Sequence, residues 1–399
     1  MEAILYIMLA WIIIFTILPI FFGDKEVRLA SAKAKLVLGG FLLYIGKEVK
    51  SSKKMSVIKP IRIAVILSML VGMALFYIFF VPIFIGMIRD FIMFSAGVSN
   101  NPPQPVAVPV PILFTFTSIL KYLVVSIAIG AAFHELAHAI TALREGVDIR
   151  SWGIGIAFLI PLAFVELDDD SFKSASSLTK ALIASAGPLA NAIIALMGIA
   201  LIALLPFTGI SFSQAVTVTS IDCSICSNVV CPAEKIGLRG GDILYSINGS
   251  LIRSVDDVGN VLKRLKVGEN VTFTICRNGI CKNVSAVIDT YNKKLGNNTP
   301  CIGVSMENNL VVLKGGAPYN NPMLVDILNY INFVVMVNLS LYVFNAIPLF
   351  ITDGSVFLSS IIPNTTMLRI VVDKRLLDIV NIIVIAIAAG ISTYILLSG

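Results

Sequence analysis

The chain has 399 residues, 57% of them hydrophobic and 14% charged, with a mean hydropathy of +0.91. Ordinary soluble domains carry about 25% charged residues, so this composition excludes a soluble globular protein and points to a membrane. The net charge of +6 does not point to nucleic acid, because the basic residues crowd into loops between apolar runs.

The first of those runs is 3–22, long enough to cross a hydrocarbon core. No positive segment precedes it and no small-residue cleavage site follows, so it reads as a span and not as a signal peptide. Comparable runs at 61–88, 112–142, 178–206, 323–347 and 376–397 predict an α-helical polytopic membrane protein of about six spans. The apolar stretch 36–46 is shorter and is expected at the membrane interface or in a re-entrant position. The loop 24–62 is dense in Lys and Arg, whereas 89–111 has only Arg89 and many prolines. The positive-inside rule therefore places 24–62 in the cytoplasm and both termini outside. Arg144, Arg150, Lys173 and Lys180 agree, and parity puts 208–322 outside.

Within 208–322, residues 214–292 read as a small α+β domain. Ala215–Ser220, Ile243–Ile247, Val271–Ile275 and Val284–Ile288 are strand-like, and Val255–Leu265 has helical apolar spacing. All six cysteines lie in 223–301. Cys276 and Cys281 flank an Arg-Asn-Gly turn, which would bring two strands within disulfide reach. Disulfides are the expectation there, and a second metal site is the alternative. The sequons at Asn248, Asn270, Asn283 and Asn297 permit glycosylation outside.

Chemistry enters at His134-Glu135-Leu136-Ala137-His138, near the end of the third span. Positions i and i+4 share one helix face, so two imidazoles can grip one Zn²⁺, with Glu135 on the flank as base. These are the only two histidines in the chain. A charged Glu inside a span costs about 2.5–3.5 kcal/mol on insertion scales, an expense that a function explains.

A catalytic zinc site normally has three protein ligands. With no third His, Asp353 is the expected one, because the fifth span brings it to a similar depth. It follows Asn345 and Pro348, which interrupts the helical ladder, and precedes Gly354. The alternative is a helix-end residue in a cytoplasmic loop.

HELAH on one membrane helix, Asn345-x-x-Pro348-x-x-x-x-Asp353-Gly354 on a later one, and Gly187-Pro188-Leu189-Ala190-Asn191 between them resemble the site-2 protease family of intramembrane metalloproteases. The string Pro232–Gly249 resembles a PDZ domain, which binds an extended peptide as an added strand; an inert spacer is the alternative. The resemblance implies one Zn²⁺ per chain, held by His134, His138 and Asp353 with Glu135 as base. It also implies cleavage within a substrate's own transmembrane helix, often after a first cut by another protease. Asn191 and Asn345 would lie near the substrate or oxyanion, or else hydrogen-bond between helices. Residues 148–166 would form a membrane-associated β-hairpin that pairs with unwound substrate, the alternative being a loop with Asp168, Asp169 and Asp170 as a solvated charge run.

The expected organisation is thus 1–111 for N-terminal helices and cytoplasmic loop, and 112–207 for the catalytic core. The PDZ-like domain and linker occupy 208–322, and the C-terminal helices 323–399. Expected partners are a transmembrane substrate, the lipid bilayer and a peptide on the PDZ-like groove, with the active site near the cytoplasmic leaflet. Two other functions share some of these features: a prenyl-protein protease, which usually takes Glu as third ligand, and a zinc transporter, which needs polar groups along a whole path.

Overall fold

The computed structural model describes residues 10–11, 13–15, 26–29, 32–37, 40–51, 58–98, 117–157, 160–228, 230–293, 296–314, 316–349, 351–362 and 374–398. The chain divides into two compact units, Met1–Ile199 with Tyr330–Gly399, and Ala200–Asn329.

The first unit opens with three strands, β1 (Glu26–Leu29), β2 (Ala32–Val37) and β3 (Gly40–Gly46). Helix α1 (Lys59–Leu75) then runs through a π-helical segment, Phe76–Phe80, into α2 (Val81–Ser95). The π segment comes just before Pro82, whose missing N–H leaves a carbonyl one turn back without its helical donor. Helix α3 (Thr117–Glu145) follows, then β4 (Ile149–Ala157), β5 (Ile160–Leu167), the short α4 (Asp169–Ser174) and α5 (Ser177–Leu204).

Strands β1 to β5 form one antiparallel sheet in sequence order. The 148–166 region is therefore a β-hairpin, and β5 is the edge strand that lies along α3. The stretch 36–46, expected as an interfacial or re-entrant segment, is the end of β2 and the whole of β3. Its Phe-Leu-Leu-Tyr-Ile run is rich in strand formers, and its partner β4 lies far along the chain, beyond the reach of local periodicity. Asp168–Asp170 is also more than a charge run: the Asp168 carboxylate accepts the Ser171 N–H at 2.9 Å and caps α4.

Among the described residues four helices are long and apolar enough to cross a membrane: Lys59–Ser95, Ile119–Glu145, Ser177–Thr208 and Pro322–Ala346. The first continues beyond the expected end at 88, into the region read as a loop. The expected span 3–22 falls almost wholly outside the described residues. The expected last span is helical, as Lys374–Ser398, and its described apolar stretch, Asp378–Ala388, is shorter than a span.

Two buried clusters knit the helices. Met69 of α1 packs with Ala181 and Ala184 of α5, Ala346 of α8 (Pro322–Ala346) and Phe357 of α9 (Asp353–Ile361). Phe76, Phe84 and Met87 pack with Tyr342, Val343 and Ile347, and with Ala388 of α10 (Lys374–Ser398). At one end of α3 the Glu145 side chain is fully buried and takes two contacts from Arg62 Nη2, at 2.8 and 2.9 Å. A buried carboxylate without such a partner is strongly destabilising, so this pair pins the start of α1 to the end of α3. Outward positions such as Leu196 and Met197 on α5 stay exposed, as a lipid-facing surface requires.

The second unit holds a sheet in the order β10-β9-β7-β6-β13-β14, with β8 paired to β7. Its strands are β6 (Ile210–Ile221), β7 (Ile243–Ile247), β8 (Ser250–Leu251), β9 (Asn270–Arg277), β10 (Ile280–Val287), β13 (Val304–Lys314) and β14 (Ala317–Tyr319). A separate pair joins β11 (Tyr291–Asn292) to β12 (Gly296–Pro300). Helices α6 (Pro232–Lys235) and α7 (Val255–Leu262) complete it. Ser254 and Asp257 form a capping box at the start of α7. Val216, Ile247, Val271, Phe273 and Ile288 fill the core. Strand β13 pairs with β6 along its full length, so 304–314 is part of the domain sheet and not linker.

All six cysteines are paired: Cys223 with Cys231, Cys226 with Cys301, and Cys276 with Cys281. The last pair joins facing residues of β9 and β10 across Asn278-Gly279, both at positive φ, the conformation of a two-residue hairpin turn.

Candidate metal centre

Helix α3 places His134 and His138 one turn apart on one face, with their Nε2 atoms 3.1 Å from each other. Both residues are buried, at 8% and 9% exposure. Nδ1 of His138 donates to the backbone carbonyl of Ile183 at 2.7 Å, and Nδ1 of His134 lies 3.0 Å from the side-chain amide of Asn191. Ile183 and Asn191 sit on α5, with Gly187 between them at the same four-residue spacing. A Cβ on Gly187 would come within 2.3 Å of His138 Nε2 and 2.6 Å of His134 Nε2. Only glycine lets α5 lie against the imidazole pair.

The third member arrives from the end of α8. The chain leaves that helix at Ala346, turns through Pro348, and enters α9 at Asp353. Thr352 organises the turn: its hydroxyl accepts the Leu349 N–H at 3.1 Å and contacts the Ile347 and Leu349 carbonyls. Gly354 is needed because a Cβ there would stand 2.1 Å from the Ala346 carbonyl oxygen. As the first residue of a helix, Asp353 has the favourable end of the helix dipole behind its carboxylate. Its Oδ2 lies 3.0 Å from His134 Nε2 and 3.3 Å from His138 Nε2.

These three atoms match a metal corner. Ligands at about 2.0–2.2 Å around a tetrahedral zinc stand roughly 3.3–3.5 Å apart, close to the separations of 3.0–3.3 Å found here. Asp353 Oδ2 is buried and has no hydrogen-bond partner despite its proximity to both imidazoles. Leaving a carboxylate oxygen in that condition is costly unless a cation completes it. Two imidazoles and a carboxylate form a donor set suited to zinc. Among the described residues this is the cluster of His and Asp able to hold a metal ion.

Glu135 leaves α3 beside the cluster, and its Oε2 accepts the backbone N–H of Val165 at 3.0 Å. Successive strand residues turn their backbone groups to alternate sides, so this bond marks the outward side of β5. Pro161 and Ala163 share that side, and a proline there removes no ladder bond.

A family model described as Peptidase family M50 matches residues 122–391, well over half of the chain. The chain belongs to peptidase family M50, the site-2 protease family. An uncharacterized protein of Methanocaldococcus jannaschii is 31% identical to this M50 member over 252 residues, which are 61% of this chain and 58% of that protein. The match thus spans less than two thirds of that relative's length. A Do-like serine protease of Bacillus subtilis is 36% identical over 58 residues, 14% of this chain and 13% of that protein. Among solved structures, the PDZ domain of the SdrC-like protein of Listeria innocua aligns with 23% of this chain and 92% of that domain, at 25% identity and a TM-score of 0.19. The corresponding domain from Listeria monocytogenes aligns at 23% identity and the same TM-score.

In this M50 chain the structure brings His134, His138 and Asp353 together, with Glu135 alongside and Asn191 behind His134. Asn191 is fully buried, and its side-chain amide faces the His134 imidazole. Asn345, half-buried in the last turn of α8, hydrogen-bonds none of the cluster residues among those described. Sequence reasoning missed Val165 and Ile183, which act through backbone atoms, and Gly187's part in admitting α5, which only the packing reveals.

Proposed function

We propose that this chain is a zinc-dependent intramembrane endopeptidase that hydrolyses peptide bonds within transmembrane segments of membrane protein substrates. The observation that carries this reading is the convergence of His134, His138 and Asp353 beside Glu135 on a helix of membrane-spanning length. Asp353 as third member also sets the chain apart from prenyl-protein proteases, which usually use Glu.

His134, His138 and Asp353 would hold a zinc ion, which would supply Lewis-acid polarisation of the scissile carbonyl and make water a stronger acid. Glu135 takes the proton of the attacking water and passes it to the leaving amine. The Val165 N–H holds the Glu135 carboxylate on the β5 side of α3 while it does so. A helical peptide bond must leave its ladder before it is cut, and the outward edge of β5 offers backbone partners to the unwound stretch. In this reading the apolar runs at 3–22 and 376–397 complete six spans. The termini and the PDZ-like domain lie outside, and the centre lies near the cytoplasmic leaflet. The basic loops support that orientation, as do the three disulfides of the second unit. The PDZ-like domain would present a strand-addition groove to a peptide ligand.

The test is reconstitution of the full chain in liposomes with a single-span substrate, reading zinc content and cleavage together. Glu135→Gln should keep about one zinc and lose about 10²–10⁴-fold in rate, the usual worth of a positioned acid–base group. Asp353→Asn should lose both zinc and cleavage. Full zinc and normal cleavage in Asp353→Asn would remove the assignment.

A further inference from the structure

Helix α5 does more than pack beside the histidines, and the position of protons on the two rings says how. His134 and His138 both meet Asp353 through Nε2, which leaves each Nδ1 pointing at α5. A neutral imidazole that gives its Nε2 lone pair to a cation carries its proton on Nδ1, and the group facing Nδ1 must then accept. For His138 that group is the Ile183 carbonyl, which can do nothing but accept. For His134 it is the Asn191 amide, whose oxygen and nitrogen ends have nearly the same shape. As oriented, Asn191 turns Nδ2 to His134 Nδ1 at 3.0 Å, while its Oδ1 is buried without a partner. A half-turn of the amide gives that oxygen the Nδ1–H and leaves the helix backbone where it is.

We propose that Asn191 is a positioning residue that accepts the His134 Nδ1–H through its side-chain oxygen and thereby fixes the Nε2 lone pair on the metal position. Ile183, Gly187 and Asn191 then form one outer shell on a single face of α5: an acceptor for each histidine, and between them a position without a side chain. This assigns Asn191 to the metal ligand and not to the substrate or oxyanion. It rests on reading the cluster as a zinc site.

The experiment titrates zinc into the purified full-length apo protein against a chromogenic chelator, comparing wild type, Asn191→Asp and Asn191→Leu. Loss of an outer-shell acceptor typically weakens metal binding about 10- to 100-fold, which is the expectation for Asn191→Leu. Asn191→Asp, which only accepts, should bind zinc at least as tightly as wild type. Equal weakening in both variants would overturn the proposal, since it would mean that the amide donates to His134. So would wild-type affinity in both with a lowered kcat, the signature of a substrate contact. Gel filtration and helix content establish that each variant is folded, and Asn191→Asp carries the test even where Asn191→Leu misfolds. A wild-type chain that takes up no zinc would overturn the metal reading itself and this proposal with it.

Discussion

The backbone N–H of Val165 and the Glu135 carboxylate meet at 3.0 Å, so an edge strand and the proposed base are joined by one peptide group. Val165→Pro deletes that donor alone, on the side of β5 that already tolerates Pro161. A hydrogen bond to a charged group contributes about 1.5–3 kcal/mol, so kcat/KM should fall roughly 10- to 100-fold. Zinc content should stay unchanged, and Val165→Ala, which keeps the N–H, should stay near wild type. Paired cleavage and metal assays check this; unaltered cleavage in the proline variant would show that Glu135 does not need the strand.

Gly187→Ala sets local propensity against the site. In a helix interior Ala is favoured over Gly by about 1 kcal/mol, so propensity alone expects a more stable chain. The added Cβ would stand 2.3 Å from His138 Nε2, and the imidazole or α5 must move. Zinc stoichiometry should drop well below one while the helix content measured by circular dichroism is retained. A variant with full zinc would mean that α5 can withdraw without cost.

The disulfides should contribute unequally. Cys226–Cys301 closes a separation of 75 residues and Cys276–Cys281 one of 5. Chain-entropy reasoning gives about 4.5 kcal/mol for the long loop and about 2 kcal/mol for the short one. Denaturant unfolding of the paired Ser variants of each bridge, followed by hydrogen exchange in β6 and β9, measures the order. The reverse order would mean that residual structure in the unfolded chain decides.

Acid should loosen α7 first at its start. Hydrogen bonds from the Arg253 N–H, at 3.0 Å, and from Ser254 hold the Asp257 carboxyl below the usual carboxylate range. A depressed folded pKa gives stability that is present above the unfolded value of about 3.9 and lost as pH falls through the folded value. Amide protection in α7 should therefore decline as pH drops below about 4, and Asp257→Ala should remove that pH dependence. A flat wild-type profile would show that the capping box does not control the helix end.

What the sequence made legible follows from how local each signal is. His134, Glu135 and His138 declare themselves because one helical turn contains the whole pattern, and Asp353 because its depth could be counted along two helices. The hairpin turn at Asn278-Gly279 announces Cys276–Cys281, whereas the remaining four cysteines allow three pairings that no spacing separates. Beyond the 148–166 hairpin, the sheet of β1 to β5 stayed hidden because β3 and β4 come from segments separated by three helices. Asn191 was legible as a polar residue in a membrane helix, but its orientation toward His134 depends on how α5 packs. Val165 and Ile183 carry no signal at all, since any residue supplies the same carbonyl and any but proline the same N–H.

The histidines and Asp353 also differ in when they come into existence. About 200 residues separate His138 from Asp353, roughly 10–40 s of synthesis at 5–20 residues per second. A ribosome-bound chain thus presents α3, the hairpin and the whole disulfide-bonded unit before Asp353 is translated. If the proposed function holds, the metal centre would be incomplete through that interval, and the nascent protein would not yet be able to cut its own helices or its neighbours'.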